Sequence, residues 1–252
     1  MSAGALARVA ATEVLLVALD FDGTLAPLVD EPMSARMTAQ ARAAVTALRA
    51  APDTHVAFVS GRSLADLRVI SEYDEASGIL LAGSHGAEFH PAAADDQPID
   101  ADEVRALSDA ATAAVAGLDG VWVETKPFGF AVHTRLASDA DGARAHEAIA
   151  ALVTKRAPRW RRRRGHDLTE YSARAAGKDD AVAHLRALTG ATAVVFAGDD
   201  VTDEDALASL GADDLGIRVG AGASAASMRV DDIQGLASVL VDLAHERVAA
   251  RQ

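Results

Sequence analysis

The segment Val14-Leu15-Leu16-Val17-Ala18-Leu19-Asp20-Phe21-Asp22-Gly23-Thr24 places six consecutive apolar residues directly before two carboxylates. An uninterrupted apolar run of this length predicts a strand that is buried on both faces of a parallel sheet. Ligand sites of open α/β sheets lie at the carboxyl ends of the strands. Asp20 and Asp22 therefore fall where a site is expected. Acidic turns after strands are common, however, so this segment alone leaves both interpretations open.

Strands and helices alternate on the C-terminal side of that segment. The first part of the chain has predicted strands at Val14–Leu19, His55–Val59 and Ile79–Ala82, with helices at Ser34–Ala50 and Ser63–Ile70. After Gly177 the pattern resumes with strands at Ala193–Ala197 and Leu215–Val219 and helices at Lys178–Leu188, Asp203–Leu210 and Ile233–Val248. Such right-handed βαβ units predict an α/β fold with a doubly wound, Rossmann-like parallel sheet. The residues before Val14 are interpreted as a short leader, which lacks the basic start of a signal peptide.

A different pattern occupies the middle of the chain. Predicted helices at Ala101–Ala116 and Asp139–Lys155 alternate with two hairpins, formed by Val121–Lys126 with Phe130–Arg135 and by Trp160–Arg164 with Asp167–Ser172. This order predicts a small α+β unit, residues 98–173, inserted into a core made of 1–97 and 174–252. His90–Gln97 is rich in Pro, Ala and Asp and is interpreted as a linker. We expect the two units to rotate about Pro91–Asp100 and Arg174–Gly177.

Composition excludes several classes of function. The formal net charge of −13 argues against nucleic acid as a partner, because such binding depends on Lys and Arg at phosphates. The chain contains no cysteine, which excludes disulfides, zinc–thiolate sites and cysteine nucleophiles and fits a cytoplasmic location. No apolar run reaches the ~20 residues that span a bilayer, so no membrane contact is predicted. We expect a monomer with a small-molecule partner.

The one strongly basic segment is Trp160–Arg164, preceded by Arg159, Arg156 and Lys155. A short basic run in an acidic protein is a weak indication of nucleic-acid binding. It is better interpreted as a strand edge whose charges prevent pairing with another chain, although some of these arginines could attract a substrate phosphate.

Three further groups add charge and phosphate-binding potential. Gly198-Asp199-Asp200-Val201-Thr202-Asp203-Glu204 follows a predicted strand, and so many acids in one turn repel one another unless a cation neutralises them. Ser60-Gly61-Arg62 offers a hydroxyl and backbone N–H groups to an anion at a helix start. Lys178 begins a predicted helix, where a cation is disfavoured by the macrodipole, and this favours a role facing phosphate. Ordinary helix capping is the alternative for Asp200, Asp203 and Ser60.

These groups, in this order, resemble the haloacid dehalogenase superfamily of phosphatases with an aspartate nucleophile. The resemblance implies that Asp20 is the nucleophile and Asp22 the general acid/base. It also implies that Ser60 and Lys178 hold the phosphoryl group, with Gly61 and Arg62 beside it. It implies a Mg²⁺ site formed by Asp20, Asp22, Asp199 and Asp203. The chemistry agrees, because a carboxylate attacks a dianionic phosphate only if cations offset the repulsion.

The segments that border the insert narrow the resemblance. Gly83-Ser84-His85-Gly86-Ala87-Glu88 and Gly198–Ala206 are similar to trehalose-6-phosphate phosphatases. Four residues of the predicted hairpins correspond to places that contact sugar in that family: Glu124, Lys126, Arg135 and Glu170. His85 is added as a candidate sugar ligand, with a structural turn residue as the alternative. Each hairpin charge could also be a solvated surface charge.

The family commonly has Glu-x-Arg-Pro leading to Lys-Gly, whereas here Glu170 is followed by Tyr171-Ser172 and Lys178 by Asp179. This departure leaves open a different trehalose-like substrate, such as a pseudo-disaccharide phosphate. A regulator that binds sugar phosphate without turnover is a second alternative. A receiver-like signalling domain is a third, but such a domain would need no insert.

Overall fold

The computed structural model describes residues 2–92, 99–165, 167–174 and 176–251. The chain separates into two compact units: Met1–Ala93 with Ala176–Gln252, called here the core unit, and Ala94–Ala175, called the insert unit. The sequence predicted the boundaries near 97 and 173. The role of each unit stays a prediction.

The strands and helices within these residues are as follows. The strands are β1 Leu15–Leu19, β2 Thr54–Val59, β3 Leu80–Gly83, β4 Glu88–His90, β5 Trp122–Lys126, β6 Gly129–His133, β7 Arg161–Gly165, β8 Leu168–Ser172, β9 Ala193–Gly198, β10 Leu215–Val219 and β11 Met228–Val230. The helices are α1 Ser2–Ala10, α2 Ala39–Ala50, α3 Leu64–Ile70, α4 Ala101–Val115, α5 Asp139–Arg156, α6 Lys178–Thr189, α7 Glu204–Ser209 and α8 Ile233–Ala249.

The core unit is built on a seven-stranded sheet in the order β11-β10-β9-β1-β2-β3-β4. All neighbouring strands are parallel except β3 and β4. Alternate residues of β1 face opposite sides: Val17 and Leu19 pack with α2 and α8, whereas Leu16 and Ala18 pack with α6 and α7. Because both faces are covered, every position of β1 is buried and apolar, as the sequence predicted.

Two edge strands and one helix of the core unit were not predicted. The residues interpreted as a leader form helix α1, whose Leu6, Val9 and Ala10 are buried at helical spacing, so that interpretation was wrong. β4 and β11 are short edge strands of three residues each, too short for a periodic signal. The predicted linker therefore begins in β4, and its residues 93–97 lie outside the described part of the chain.

Helix α2 begins later than predicted. It starts at Ala39 because the Thr38 side chain accepts a hydrogen bond from the backbone N–H of Ala41 and caps the helix. Pro32–Ser34 forms a separate 3₁₀ turn. Similarly, a 3₁₀ turn at Val201–Asp203 precedes α7, so the helix that was predicted from Asp203 begins at Glu204.

The insert unit has an antiparallel sheet in the order β5-β6-β8-β7, with α4 and α5 packed on one face. Phe130, Val132 and Tyr171 point toward these helices. The residues between them in the strands point to the other side, called here the open face. The basic strand β7 is an edge strand, as predicted.

Arg135 is not on a strand, contrary to the prediction. The hairpin turn consists of Pro127 and Phe128, which sets Lys126 opposite Gly129 and Trp122 opposite His133. The second strand ends at His133, where its partner strand begins, and the chain then enters a turn that carries Arg135.

Among the described residues, none of the helices is both long enough and apolar enough to cross a membrane.

Candidate active site

Strand register in the core unit brings the predicted acidic residues together. β1 lies between β9 and β2, with Leu19 opposite Ala197 on one side and Phe58 on the other. Asp20 continues this ladder, because its backbone N–H donates to the Ala197 carbonyl at 2.9 Å. Asp199 and Ser60 follow the two neighbouring strands. The three side chains therefore start from one edge of the sheet, as strand-end geometry predicts.

Lys178 joins two of these carboxylates at the first position of α6. Its Nζ donates to Asp20 Oδ1 at 2.5 Å and to Asp203 Oδ1 at 2.6 Å. All three side chains are at least nine-tenths buried. The partial positive charge of a helix N-terminus disfavours a cation there, but two buried carboxylates outweigh that effect. The lysine is thus fixed beside the predicted nucleophile.

Asp20, Asp199 and Asp203 form a group of hard oxygen donors. One carboxylate oxygen from each lies within 4.8 Å of the other two. Mg²⁺ prefers oxygen ligands and often takes one or two carboxylates together with water and a substrate phosphate. The donor set therefore fits Mg²⁺.

The charge balance of this group favours a bound cation. Burial raises the pKa of Asp199 to about 6, with a further contribution from Asp203, against the lowering effect of Thr24 and Lys178. The pKa of Asp20 is raised by burial and by Asp203 and Asp199, although Lys178 opposes this. Burial would lower the pKa of Lys178, but Asp20 and Asp203 together raise it above its usual value. The single ammonium of Lys178 does not neutralise three carboxylates. A bound divalent cation would supply the two remaining positive charges.

The turn after β1 places Asp199 close to the chain. Gly23 has a φ of +83°, and a Cβ there would lie 2.1 Å from Asp199 Oδ2, so only glycine fits. The next hydroxyl, Thr24 Oγ1, donates to Asp199 Oδ1 at 3.2 Å. Sequence reasoning gave Thr24 no role, because nothing in the sequence shows which residue a buried threonine contacts.

Asp22 lies outside the three-carboxylate group. Both of its oxygens accept hydrogen bonds from Arg62, from Nε and Nη2, each at 2.7 Å. Such a two-point pair orients both side chains. Arg62, predicted to bind substrate, here holds the residue predicted as the general acid/base. The Asp22 carboxylate would reach a metal or a leaving group only after this pair rearranges.

Ser60, Gly61 and His85 lie together at the ends of β2 and β3. The buried Ser60 Oγ accepts the backbone N–H of Arg62 at 3.1 Å, and the Ser60 carbonyl accepts the N–H of His85 at 2.9 Å. A Cβ on Gly61 would lie 2.6 Å from the His85 ring. His85 itself has a left-handed backbone, with a φ of +57°. These contacts hold the loops after β2 and β3 together. Binding roles for the three residues stay predictions.

Glu88 was not predicted to contribute, yet it supports this loop. Its Oε2 accepts hydrogen bonds from Ser84 Oγ at 2.6 Å and from the backbone N–H of Leu64 at 3.0 Å. It therefore ties the loop after β3 to the N-terminus of α3. The sequence showed Glu88 in a motif but not the partner 24 residues earlier.

In the insert unit, Glu124, Lys126 and Glu170 share the open face of the sheet. Glu124 is opposite Ala131, which is opposite Glu170, so the two glutamates lie in one row across three strands. Lys126 forms an ion pair with Glu170. The structure thus brings together three of the four predicted sugar-contacting residues, and the fourth, Arg135, lies in the exposed turn after β6.

Two more residues of the open face were missed. His133 Nε2 donates to Glu124 Oε2 at 2.8 Å, and the His133 ring stacks on Trp122 with 4.5 Å between centroids. The bond from His133 lowers the pKa of Glu124 in spite of its partial burial, with help from Lys126. Trp122, Glu124 and Lys126 are two residues apart along β5, so their side chains leave the sheet on the same side. That alternation could have identified Trp122 from the sequence.

Comparisons with known proteins agree with these observations. A family model described as trehalose-phosphatase matches residues 18–233. A trehalose-phosphate phosphatase of Mycobacterium avium is 37% identical over 206 residues, covering 75% of this chain and 50% of that protein. The trehalose-6-phosphate phosphatase of Escherichia coli K12 is 29% identical over 219 residues, covering 84% and 79%.

The fold has solved counterparts. The C-terminal domain of a Candida albicans trehalose-6-phosphate phosphatase superposes with a TM-score of 0.76 at 18% identity, covering 96% of each chain. This similarity and the sheet topology confirm the predicted α/β fold class, a Rossmann-like core with an inserted α+β unit. The chain spans about half the length of the mycobacterial relatives named trehalose-phosphate phosphatase.

Proposed function

The chain belongs to the trehalose-phosphatase family, and we propose that it is a Mg²⁺-dependent phosphatase that hydrolyses trehalose 6-phosphate through an aspartyl-phosphate on Asp20. One observation carries the chemical part of this proposal. Lys178 is buried between Asp20 and Asp203, with the Asp199 carboxylate close by. A lone buried acid would be protonated and unreactive, whereas cations on two sides keep it ionised and aimed.

The first chemical step forms a bond between an Asp20 oxygen and phosphorus and breaks the bond from phosphorus to the sugar oxygen. Mg²⁺ would be held by Asp20, Asp199 and Asp203 and would neutralise negative charge on the phosphoryl oxygens. Lys178 keeps the Asp20 carboxylate in one orientation and adds positive charge beside it. Asp22 supplies a proton to the leaving sugar oxygen.

The second step releases phosphate. Asp22, now a carboxylate, accepts a proton from water as that water attacks phosphorus, and Asp20 returns to its starting form. This cycle needs Asp22 to be free of Arg62. We expect the substrate phosphate to compete for the Arg62 guanidinium, because phosphate is an equally good two-point acceptor. Ser60 and Gly61 in the loop after β2, and His85 in the loop after β3, would hold the phosphoryl group.

The open face of the insert unit supports the sugar part of the proposal. Glu124, Lys126 and Glu170 present acceptors and donors on a rigid sheet, which suits the several hydroxyls of a disaccharide. Trp122 and His133 add an exposed aromatic stack to the same face. Arg135 would contribute only from its turn.

A related substrate is the second candidate, favoured by the absence of the Arg-Pro pair that the resemblance leads us to expect. Ser172, opposite Gly129 at the end of β8, and Ala173 stand in the place of that pair. Sugar preference could therefore differ from that of the family. Phosphate release from a panel of disaccharide and monosaccharide phosphates separates the two candidates.

The direct test is phosphate release from trehalose 6-phosphate with Mg²⁺. Asp20→Asn should lower the rate by at least about a thousandfold, because an amide cannot form the covalent intermediate. Asp213→Asn, an equivalent change in an exposed turn, should leave it unchanged. Circular dichroism of both variants checks that the fold is kept. Binding of trehalose 6-phosphate to the unaltered protein without any hydrolysis would instead indicate a regulator.

A further inference from the structure

A recess lies entirely within the insert unit. It is a cleft of about 540 Å³ between α5 and the strands β7 and β8, of which β7 is the edge of the sheet. Its lining includes six residues that carry a charge or can form hydrogen bonds: His146, Glu147, Arg162, Arg164, Asp167 and Thr169. Its volume falls within the range of small-molecule sites, about 300–1,000 Å³.

This cleft is on the opposite side of the sheet from the predicted sugar-contacting residues. Arg162 is opposite Tyr171, and Arg164 is opposite Thr169, in the β7–β8 ladder. Tyr171 and Thr169 are buried toward the helices, whereas Glu170 between them belongs to the open face. The cleft is therefore distinct from the surface used in the proposed reaction.

Arg162 and Arg164 form one wall of the cleft. They are two residues apart in a strand, so their side chains leave the sheet on the same side. Both are exposed, and neither forms an ion pair with a carboxylate among the residues that the structure describes. The Arg162 guanidinium lies over the Tyr171 ring, 5.8 Å from its centroid, which leaves its N–H edge available. Two neighbouring guanidiniums that repel each other are well suited to share an anion.

The pKa of His146 shows that the two arginines act on the inside of the cleft. Its Nδ1 is 3.3 Å from Thr169 Oγ1, and its ring is partly buried. Burial lowers the pKa of His146, and so do the charges of Arg164 and Arg162. The positive potential of the two arginines thus extends to the floor of the cleft. Glu147 and Asp167 add acceptors on its other sides.

We propose that this cleft binds a small phosphorylated polyol, with the phosphate on Arg162 and Arg164 and the hydroxyls toward Glu147, Asp167 and Thr169. The two arginines suit a phosphate, which accepts hydrogen bonds from several N–H groups at once. The acidic residues disfavour a ligand that is anionic throughout, such as a nucleic acid, and favour one that carries hydroxyls as well. The proposal does not depend on catalysis in the core unit.

The test is an NMR titration of His146 in the full chain, with Mg²⁺ removed by a chelator so that turnover is excluded. The His146 signal is assigned by its loss in His146→Gln. The probes are glucose 6-phosphate, inorganic phosphate and glucose. Saturating glucose 6-phosphate should raise the pKa of His146, because the bound phosphate offsets the two guanidiniums. Glucose should have no effect, and inorganic phosphate should act only at higher concentration.

Variants assign the effect to the cleft. Arg162→Gln with Arg164→Gln should weaken glucose 6-phosphate binding, measured by this shift, by about tenfold or more. Arg156→Gln with Arg159→Gln removes the same charge from residues that do not line the cleft and should leave binding unchanged. An unmoved His146 pKa, or equal weakening by both double variants, would overturn the site. Inorganic phosphate as potent as glucose 6-phosphate would overturn the polyol assignment.

Discussion

The core and insert units contain the same kinds of ionic groups in opposite environments. In the core unit, the Lys178 side chain is 3% exposed and its partners Asp20 and Asp203 are 6% and 0% exposed. In the insert unit, Lys126 is 27% exposed beside a Glu170 that is 15% exposed, and Glu124 is 49% exposed. The first group is locked by burial, and the second is open to water and to a ligand.

This contrast suits the two proposed roles, phosphoryl transfer in the core unit and sugar recognition in the insert unit. Burial raises the pKa values of Asp20 and Asp199, and these carboxylates then need nearby cations, such as Lys178 and a bound metal, to stay ionised. Partly exposed pairs such as Lys126–Glu170 exchange partners at a lower cost than fully buried ones, as hydroxyl recognition requires. Four measurements test this difference between the two units.

The largest difference is expected when one lysine is removed from each group. Lys178→Met should lower the free energy of unfolding at pH 8 by about 3–5 kcal/mol, because it leaves buried carboxylates without their cation. Lys126→Met should cost much less, about 1 kcal/mol, because Lys126 and Glu170 keep partial contact with water. Urea unfolding without Mg²⁺ measures both. Equal losses would show that the two groups do not differ in this way.

Removal of one carboxylate should separate metal binding from stability. Asp199→Asn should abolish the stabilisation by Mg²⁺ and yet raise the metal-free free energy of unfolding at pH 8, by about 1 kcal/mol, because it relieves repulsion from Asp203. Asp200→Asn, in the same turn but exposed, serves as the control. If Mg²⁺ stabilises the Asp199 variant as well as the unaltered protein, the three-carboxylate group is not the metal site.

The effect of pH should follow Asp199. Its pKa rises from 3.8 to about 6 on folding, so its contribution to metal-free stability is complete below 3.8 and is lost as pH rises through 6. Mg²⁺ needs the ionised carboxylate, so the increase in Tm on adding Mg²⁺ should be large at pH 8 and small at pH 5.

Asp214 provides an internal reference for this experiment. Burial would raise its pKa, but Arg186 and two backbone N–H groups lower it, so its contribution is lost only as pH falls below about 4. It should not affect Tm between pH 5 and 8. A Mg²⁺ effect that is constant over this range would contradict the assignment of Asp199 to the metal.

The smallest effect is expected on the open face of the insert unit. Glu124→Gln keeps the size of the side chain but replaces the acceptor of His133, and it should raise KM for trehalose 6-phosphate about three- to tenfold with kcat nearly unchanged. Glu103→Gln, on the exposed start of α4, should change neither. A fall in kcat without a rise in KM would assign Glu124 to the chemistry.

The sequence predicted which acidic residues come together in the core unit, because parallel strands impose that geometry. Asp20, Ser60 and Asp199 all follow buried apolar runs, and such strand ends share one edge of the sheet. Lys178 was identified because a lysine at a helix start is unusual. By contrast, the Asp22–Arg62 pair and the bond from Thr24 to Asp199 depend on side-chain packing between distant segments, which no local pattern encodes.

The insert unit was harder to predict because its signals are short. Its hairpins were identified, but a turn one residue shorter than expected ended β6 at His133 and left Arg135 outside the sheet. The alternation of Trp122, Glu124 and Lys126 indicates which side of β5 forms the open face. Only the two charged residues were predicted to contact sugar. In the core unit, β4 and β11 were missed because three-residue edge strands show no periodicity.

Trapping of the covalent intermediate is the most direct test that Asp20 is the nucleophile. Protein mixed with trehalose 6-phosphate and Mg²⁺, quenched in acid within one turnover and digested, should yield one phosphorylated peptide, with the phosphoryl group on Asp20. The Asp20→Asn variant should yield none. A phosphoryl group on another residue, or rapid phosphate release with no trapped adduct and undiminished activity in Asp20→Asn, would contradict the assignment of Asp20 as the nucleophile.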